Sequence, residues 1–376
     1  MKRVARILTL IVGGLVLLCC VASALSALSN RNLPTGPEVL NRLDPLDKAR
    51  LAETLHLKQA LGEAVWPGWG QADVPIILWN HAYSFLVGYA DLLNGWKAVP
   101  DDTFDGQPYH RQPSADPQNF AVPVGDRWAA SMATKWETDA FLMEMFREAL
   151  PPVLESAFPY RLVIQPSEVQ MSSVLHETFH AYQAQVAPDR LDEAEQAHSR
   201  GEAYWAADAQ MHAEWQQEIA LLAQALKAES DEDAATLARQ FLARREQRRA
   251  AHNLDAALTD YERLLEWEEG IAKYVELAIW REAHTTQGYE PLATMADDPD
   301  FKGYATFDQR WSQEIGQMKR QATREGETRL YYTGMAQAML LDRLLPEWKS
   351  RIMAQDTWLE TLLAEVDKPP NLSFDR

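Results

Sequence analysis

Residues 171–183 read MSSVLHETFHAYQ and set His176, Glu177 and His180 in the order H-E-x-x-H. On a helix, positions i and i+4 share a face, so His176 and His180 can aim their imidazoles at one ion. Glu177 falls one residue beyond the first histidine, beside the ion rather than on it. A carboxylate there suits a general base acting on a metal-activated water. The segment before it predicts the helix: Ser167 and Gln170 in SEVQ are spaced as a capping box, and YRLVIQP from Tyr160 reads as a strand leading in. The competing reading is a helix whose composition spells the motif by coincidence.

A catalytic zinc needs a third protein ligand and an open position. Gln183 and Val186 stand where a metzincin would have its glycine and third histidine, which excludes that class. A glutamate on a second helix is the other route. Glu195 and Glu202 come first, and then LLEWEEGIAKYVELAIW, residues 264–280, offers Glu269 before Gly270 and Glu276 two turns later. His198 and His212, with Glu202 between them, are candidates for a second metal site, although that spacing does not fall clearly on one helix face.

The rest of the chain sets limits on this chemistry. With 376 residues, 47% of them hydrophobic, there is material for a sizeable core. The net charge of −19 argues against nucleic-acid or anionic-lipid surfaces. The one basic cluster, ARREQRRAAH at 243–252, reads as a solvated helix face. Lys2, Arg3 and Arg6 precede an apolar run from Ile7 to Leu28 that is long enough to cross a bilayer. Residues 1–29 are therefore expected to be a signal peptide or, given the length of the run, a signal anchor that leaves the rest outside the cytoplasmic membrane. Cys19 and Cys20 are the only cysteines, and Val16, Leu17 and Leu18 before them argue against lipidation. Any metal further along must use His, Glu or Asp.

Residues 30–65 read as a Pro-containing tether and a short helix near Ala49 to Leu61. From Trp66 to about Thr134, Pro, Gly and Asp separate apolar runs at Val74–Trp79, Tyr83–Val87 and Phe120–Val124, which predict strands of a small sheet. The stretch 94–120 between them reads as a long irregular excursion or one wall of a cleft, and Asn80 and His81 as possible cleft residues beside an extended substrate. Beyond Ser167 the texture is helical, from Leu191 to Arg281 and again from Phe307 to Ala364.

The segment EEGIAKYVE, 268–276, resembles the N-E-G-x-A-x-Y-x-E segment of the zinc aminopeptidase and leukotriene hydrolase family, the gluzincins. Glu268 stands where that family usually has Asn. A second likeness is LYYTGMAQAMLLDRL, 330–344, similar to the family's P-Y-x-K-G-x-x-x-L-x-x-L. The resemblance implies that Glu269 is the third zinc ligand beside His176 and His180. It also implies that Tyr331 helps stabilise an oxyanion, with Tyr332 the choice a one-residue slip would make. Two departures stand out. A long helical insertion, about 188–260, separates His180 from Glu269, and no counterpart of the family's Gly-x-Met-Glu-Asn segment is found, so aminopeptidase activity is not implied.

The expectation is an α+β, zincin-like chain, with residues 66–376 as a catalytic domain. Its sheet-containing part spans 66–166, and a mainly helical part with the insertion spans 167–376. The expected function is zinc-dependent hydrolysis of peptide or protein substrates at the cell envelope, with one Zn2+ per chain, Glu177 as base and Tyr331 assisting. The alternative is an envelope binding or scaffold protein that keeps the fold without turnover.

Overall fold

The apolar runs at 76–79 and 83–87 form the centre of a six-stranded mixed sheet. The computed structural model describes residues 2–366 apart from 31–32, 34–38, 156, 206–207 and 325. The strands are β1 (Ile76–Trp79), β2 (Tyr83–Val87), β3 (Lys97–Ala98), β4 (His110–Pro113), β5 (Phe120–Val124) and β6 (Arg127–Ala133), in the order β3-β4-β2-β1-β6-β5. Only β1 and β6 pair parallel, with Ile76 opposite Ala130. Two of these strands, β3 and β4, lie inside the stretch read as irregular. They are short and polar, with only His110 buried, so no alternation announces them.

The helices are α1 (Lys2–Asn30), α2 (Pro45–Val65), α3 (Lys135–Ala149), α4 (Pro152–Glu155), α5 (Ser167–Val186), α6 (Pro188–Ala197), α7 (Gly201–Trp205), α8 (Asp208–Ala225), α9 (Asp231–Ala251), α10 (Ala256–Leu265), α11 (Ile271–Thr285), α12 (Phe307–Gln321), α13 (Thr328–Leu344) and α14 (Leu359–Leu363). The tether's helix is longer than expected because Asp44 caps it, accepting from the Asp47 N–H at 2.8 Å, and Pro45 fits its first turn. The apolar run 7–28 lies within α1, but many of its side chains fall outside the described residues. Among the described residues no helix is long and apolar enough to cross a membrane.

Helix α5 is buried on every side, which is what its sequence requires. Met171, Leu175 and Phe179 face the helical body, where Phe179 meets Trp66 edge-on at 4.9 Å. Val174 and Ala181 face the sheet with Phe85, Leu78 and Ala130. The third face carries His176, Glu177 and His180. A helix walled in on two sides holds its third face rigidly, which is the condition for a precise site.

Two local expectations fail at the start of α5. The segment from Tyr160 is a 3-10 turn, Tyr160–Leu162, not a strand. Tyr160 and Val163 are drawn into a small cluster with Leu33 and Met143 instead of a sheet edge. The capping box does not form either. Pro166 is the N-cap, and the Ser167 hydroxyl donates to Asp298 at 2.6 Å while accepting from Arg50. A buried carboxylate paired to arginine is a stronger partner than a backbone amide.

The basic cluster on α9 is not a solvated face. Arg245 makes two bonds to Glu266, at 2.6 and 2.8 Å, and Arg248 reaches Glu218 at 2.6 Å and Glu262 at 2.7 Å. Arg249 reaches Glu262 at 2.8 Å and Glu360 at 3.0 Å, and all three guanidiniums are buried. Their partners sit on α8, α10, α14 and the turn after α10. The network thus fastens the inserted helices to the segment that carries Glu269.

Candidate metal centre

Between α10 and α11 the chain makes a π-helical turn, Glu266–Gly270. Such a turn widens the helix by a residue and commonly marks a functional site. Here it carries Glu266, Glu268 and Glu269, all buried, to separate destinations. It can approach α13 closely because both chains have glycine at the crossing. A Cβ on Gly270 would lie 2.5 Å from the Gly334 Cα, and one on Gly334 would lie 2.5 Å from the Glu266 carbonyl oxygen. The glycines in the two segments that carry the family resemblance are therefore the contact that brings Glu269 and Tyr331 together.

Glu269 reaches the two histidines of α5. Its Oε2 lies 3.1 Å from His176 Nε2 and 3.3 Å from His180 Nε2, and the two nitrogens are 3.0 Å apart. Ligands at ~2.0–2.1 Å around a tetrahedral ion are separated by about 3.3 Å, so the triangle has the dimensions of a metal site. The tautomer of His180 is set by its neighbour. The Gln183 amide donates to the carbonyls of Trp267 and Glu268 at 3.0 and 3.3 Å, so its Oε1 faces His180 Nδ1 at 2.9 Å and takes that N–H. The Nε2 lone pair is thereby left pointing into the triangle. Glu276 Oε2 stands 3.7 Å from His176 Nδ1, beyond hydrogen-bond range. It acts on that ring through charge, and Lys273 at 2.8 Å and Arg310 at 3.2 Å hold it in place.

The electrostatics favour positive charge at this point. Burial opposes a charged His176, but Glu269, Glu276 and Glu177 outweigh it and raise the imidazole to about 10. Burial also works against the Glu269 carboxylate, yet the two histidines hold it well below the usual range. Burial pushes Glu177 up to about 7 against the pull of both histidines. Three carboxylates around two imidazoles can be balanced by protons or by a divalent ion, and the His/His/Glu donor set is suited to holding one.

Tyr331 lies against this group, its ring stacked on His176 at 6.2 Å and 11°. Burial and the Glu269 charge push that phenol up. Tyr332 turns the other way and donates to Glu314 at 2.8 Å, so of the two neighbouring tyrosines it is Tyr331 that lies at the cluster. Phe120 closes another side, 4.7 Å from the His180 ring. It belongs to β5, the edge strand, so the strand beside the cluster is β5. The Asn80 and His81 expectation is corrected accordingly: the Asn80 side chain closes the β1–β2 turn, accepting from the N–H groups of Ala82 and Tyr83.

The alternative third ligands are also settled by position. Glu195 and Glu202 are exposed, and among the described residues His198 groups with Glu268 and Glu269, not with Glu202 and His212. His198 instead bridges Glu268 and Glu327, at 3.0 and 3.1 Å. Gln183 and the His198 group were not recognised as parts of the site. The only available signal for Gln183 was its i+3 spacing from His180. Comparisons with protein-family models, curated proteins and solved structures find no match for this chain.

Proposed function

We propose that the chain is a zinc-dependent peptide hydrolase of gluzincin type, acting at the outer side of the cytoplasmic membrane. The observation that carries this reading is the triangle of His176, His180 and Glu269 with Glu177 and Tyr331 on its borders. His176, His180 and Glu269 would hold the zinc. When bound, zinc supplies Lewis acidity that polarises a carbonyl and makes water more acidic.

The chain's own groups do the remainder. Glu177 accepts the proton of the attacking water at a carboxylate oxygen and returns it to the departing amine nitrogen. The Tyr331 hydroxyl donates to the oxygen that gains charge as the carbonyl is attacked. Gln183 keeps the His180 imidazole in orientation, and Glu276 adds negative charge beside His176. Edge strand β5 offers backbone groups to an extended peptide, which favours a peptide over a compact small molecule. The envelope location rests on the apolar run 7–28 behind its basic residues.

The test combines metal content with turnover of a mixed peptide library. Zinc should be retained at the triangle by Glu177→Gln and Glu202→Ala and lost from it by His180→Ala. Glu177→Gln should lower turnover by about 10²–10⁴-fold, and Tyr331→Phe by about 10²–10³-fold with zinc retained. Zinc binding with no turnover of any peptide by the parent chain would instead favour the binding or scaffold protein.

A further inference from the structure

The triangle shares one corner with a second group of donors. Glu268 and Glu269 are consecutive in the π turn, and His198, from the start of the helical insertion, faces them. The donor atoms of His198, Glu268 and Glu269 all lie within 4.8 Å of one another. Glu268 is fully buried, and although its Oε2 meets His198 Nε2 at 3.0 Å, its Oε1 has no hydrogen-bond partner among the described residues. We propose that this group is a second divalent-cation site, so that the Glu269 carboxylate is shared by two ions. This rests on the reading of the first site given above.

Three features favour an ion over a plain salt bridge. A histidine between two carboxylates would satisfy Glu268 Oε2 and Glu327, but it would leave Glu268 Oε1 buried and unpaired next to a second buried carboxylate. An unpartnered charged oxygen of that kind is costly in a dry interior. His198 also has the orientation of a metal ligand. Its Nδ1 lies 3.1 Å from Glu327 Oε2, and Glu327 is in turn held by the Tyr261 hydroxyl at 3.1 Å. A carboxylate behind one ring nitrogen, with the other aimed at acidic donors, is the arrangement that orients liganding histidines. Finally, the His198 side chain is 30% exposed, which gives a cation a way in that the buried Glu268 alone would not. The donor set, one imidazole and two carboxylates, is harder than the His/His/Glu set and suits Zn2+ or Mn2+. The insertion that separates this chain from the gluzincin pattern thereby acquires a task, since it delivers His198.

Metal content of the purified full chain, dialysed against Zn2+ and in parallel against Mn2+, tests this. Two ions per parent chain are expected, with one remaining in His198→Ala, one in Glu268→Gln and one in His180→Ala. Electron paramagnetic resonance of the Mn2+ form should show a spin-coupled pair in the parent and an isolated ion in His198→Ala. Because Glu268 is buried and its variant can misfold, His198→Ala, verified as folded by circular dichroism, is the deciding protein. One ion in the parent, unchanged in His198→Ala, overturns the second site and leaves the first standing. Two ions retained in folded His198→Ala also overturn it, and no ion in any form overturns both sites together.

Discussion

One π turn feeds two buried clusters of opposite character. Glu266 points to the arginine network, where Arg245, Arg248, Arg249 and Arg263 meet Glu218, Glu262, Glu266 and Glu360 in bonds of mostly 2.6–2.8 Å. Glu268 and Glu269, two and three residues on, point to the histidine cluster. There His176 Nδ1 and Glu268 Oε1 stay without hydrogen bonds among the described residues. The arginine network pairs guanidiniums with carboxylates throughout, Arg249 Nη2 lying 2.7 and 2.9 Å from Glu262 and Glu360. The histidine cluster has a donor set that could hold a metal ion. The contrast sets buried charges that pair with one another beside buried charges whose donors could pair with an ion.

Four measurements sharpen that contrast or break it. The largest effect should come from Arg248→Ala, which leaves buried Glu218 with only a 3.5 Å approach from Arg245 and takes one of the two arginines from Glu262. Denaturant unfolding should show a loss of about 3–5 kcal/mol, whereas Glu177→Gln, which removes charge from an acid-rich group, should leave the metal-free chain as stable or more so. Equal losses in both variants would erase the distinction.

The second is the pH dependence of stability, which should run in opposite directions for the two clusters. The arginines hold Glu360 below its ordinary 4.5, at about 2, although burial opposes this. Its stabilisation is present above about 4.5 and lost as pH falls through about 2. His176 is raised from 6.5 to about 10, so its contribution in metal-free protein is full below about 6.5 and lost as pH rises through about 10. Thermal melts of the metal-free chain across pH should therefore fall at both ends. Zn2+ at a hundred times its Kd should restore about 2.7 kcal/mol at neutral pH, with no restoration in a His180→Ala, His198→Ala double variant.

A smaller effect is expected at the glycine crossing. Gly334→Ala forces a methyl to within 2.5 Å of the Glu266 carbonyl. A cost of about 1–3 kcal/mol should appear in unfolding, together with weaker zinc binding, because Glu269 moves with the turn. Unchanged metal affinity would show that the crossing serves packing alone. Least of all, Glu202→Ala should change stability by no more than about 0.5 kcal/mol and leave zinc content as it is.

The histidine cluster was legible in the sequence because its parts are local: a pair four apart on one helix, a Glu-Gly step and a Tyr three residues before a Gly. The hairpin at 76–87 and the strand at 120–124 were legible from apolar runs. What escaped depends on partners far along the chain. Residues 245–249 spell a solvated face until Glu218, Glu262 and Glu360 are brought to them from three other helices. Strand β6, RWAASMA, lacks the large alternating residues that mark a strand. Its Ala129, Ala130, Ser131 and Ala133 are small and buried, Ala130 against α5 and Ala129 on the opposite face with Ile77 and Leu86. Segment 135–149 received no assignment, and it is α3. His198 was noted as a possible ligand, but with Glu202, its neighbour in sequence, in place of Glu268, its neighbour in space.

The distance along the chain between the histidine pair and its third donor also bears on how the protein assembles. His176 and Glu269 are 93 residues apart. In the unfolded chain only the two histidines are near each other, and they become a fixed pair once α5 is helical. Glu269 can join them only when the π turn is docked on α13 at the Gly270–Gly334 crossing. An ion captured early would therefore be held by two donors, and full affinity would appear only at the last docking step. The rate at which zinc becomes resistant to a chelator during refolding is thus a clock for the final closure of the molecule, and it should run slower than the appearance of helix.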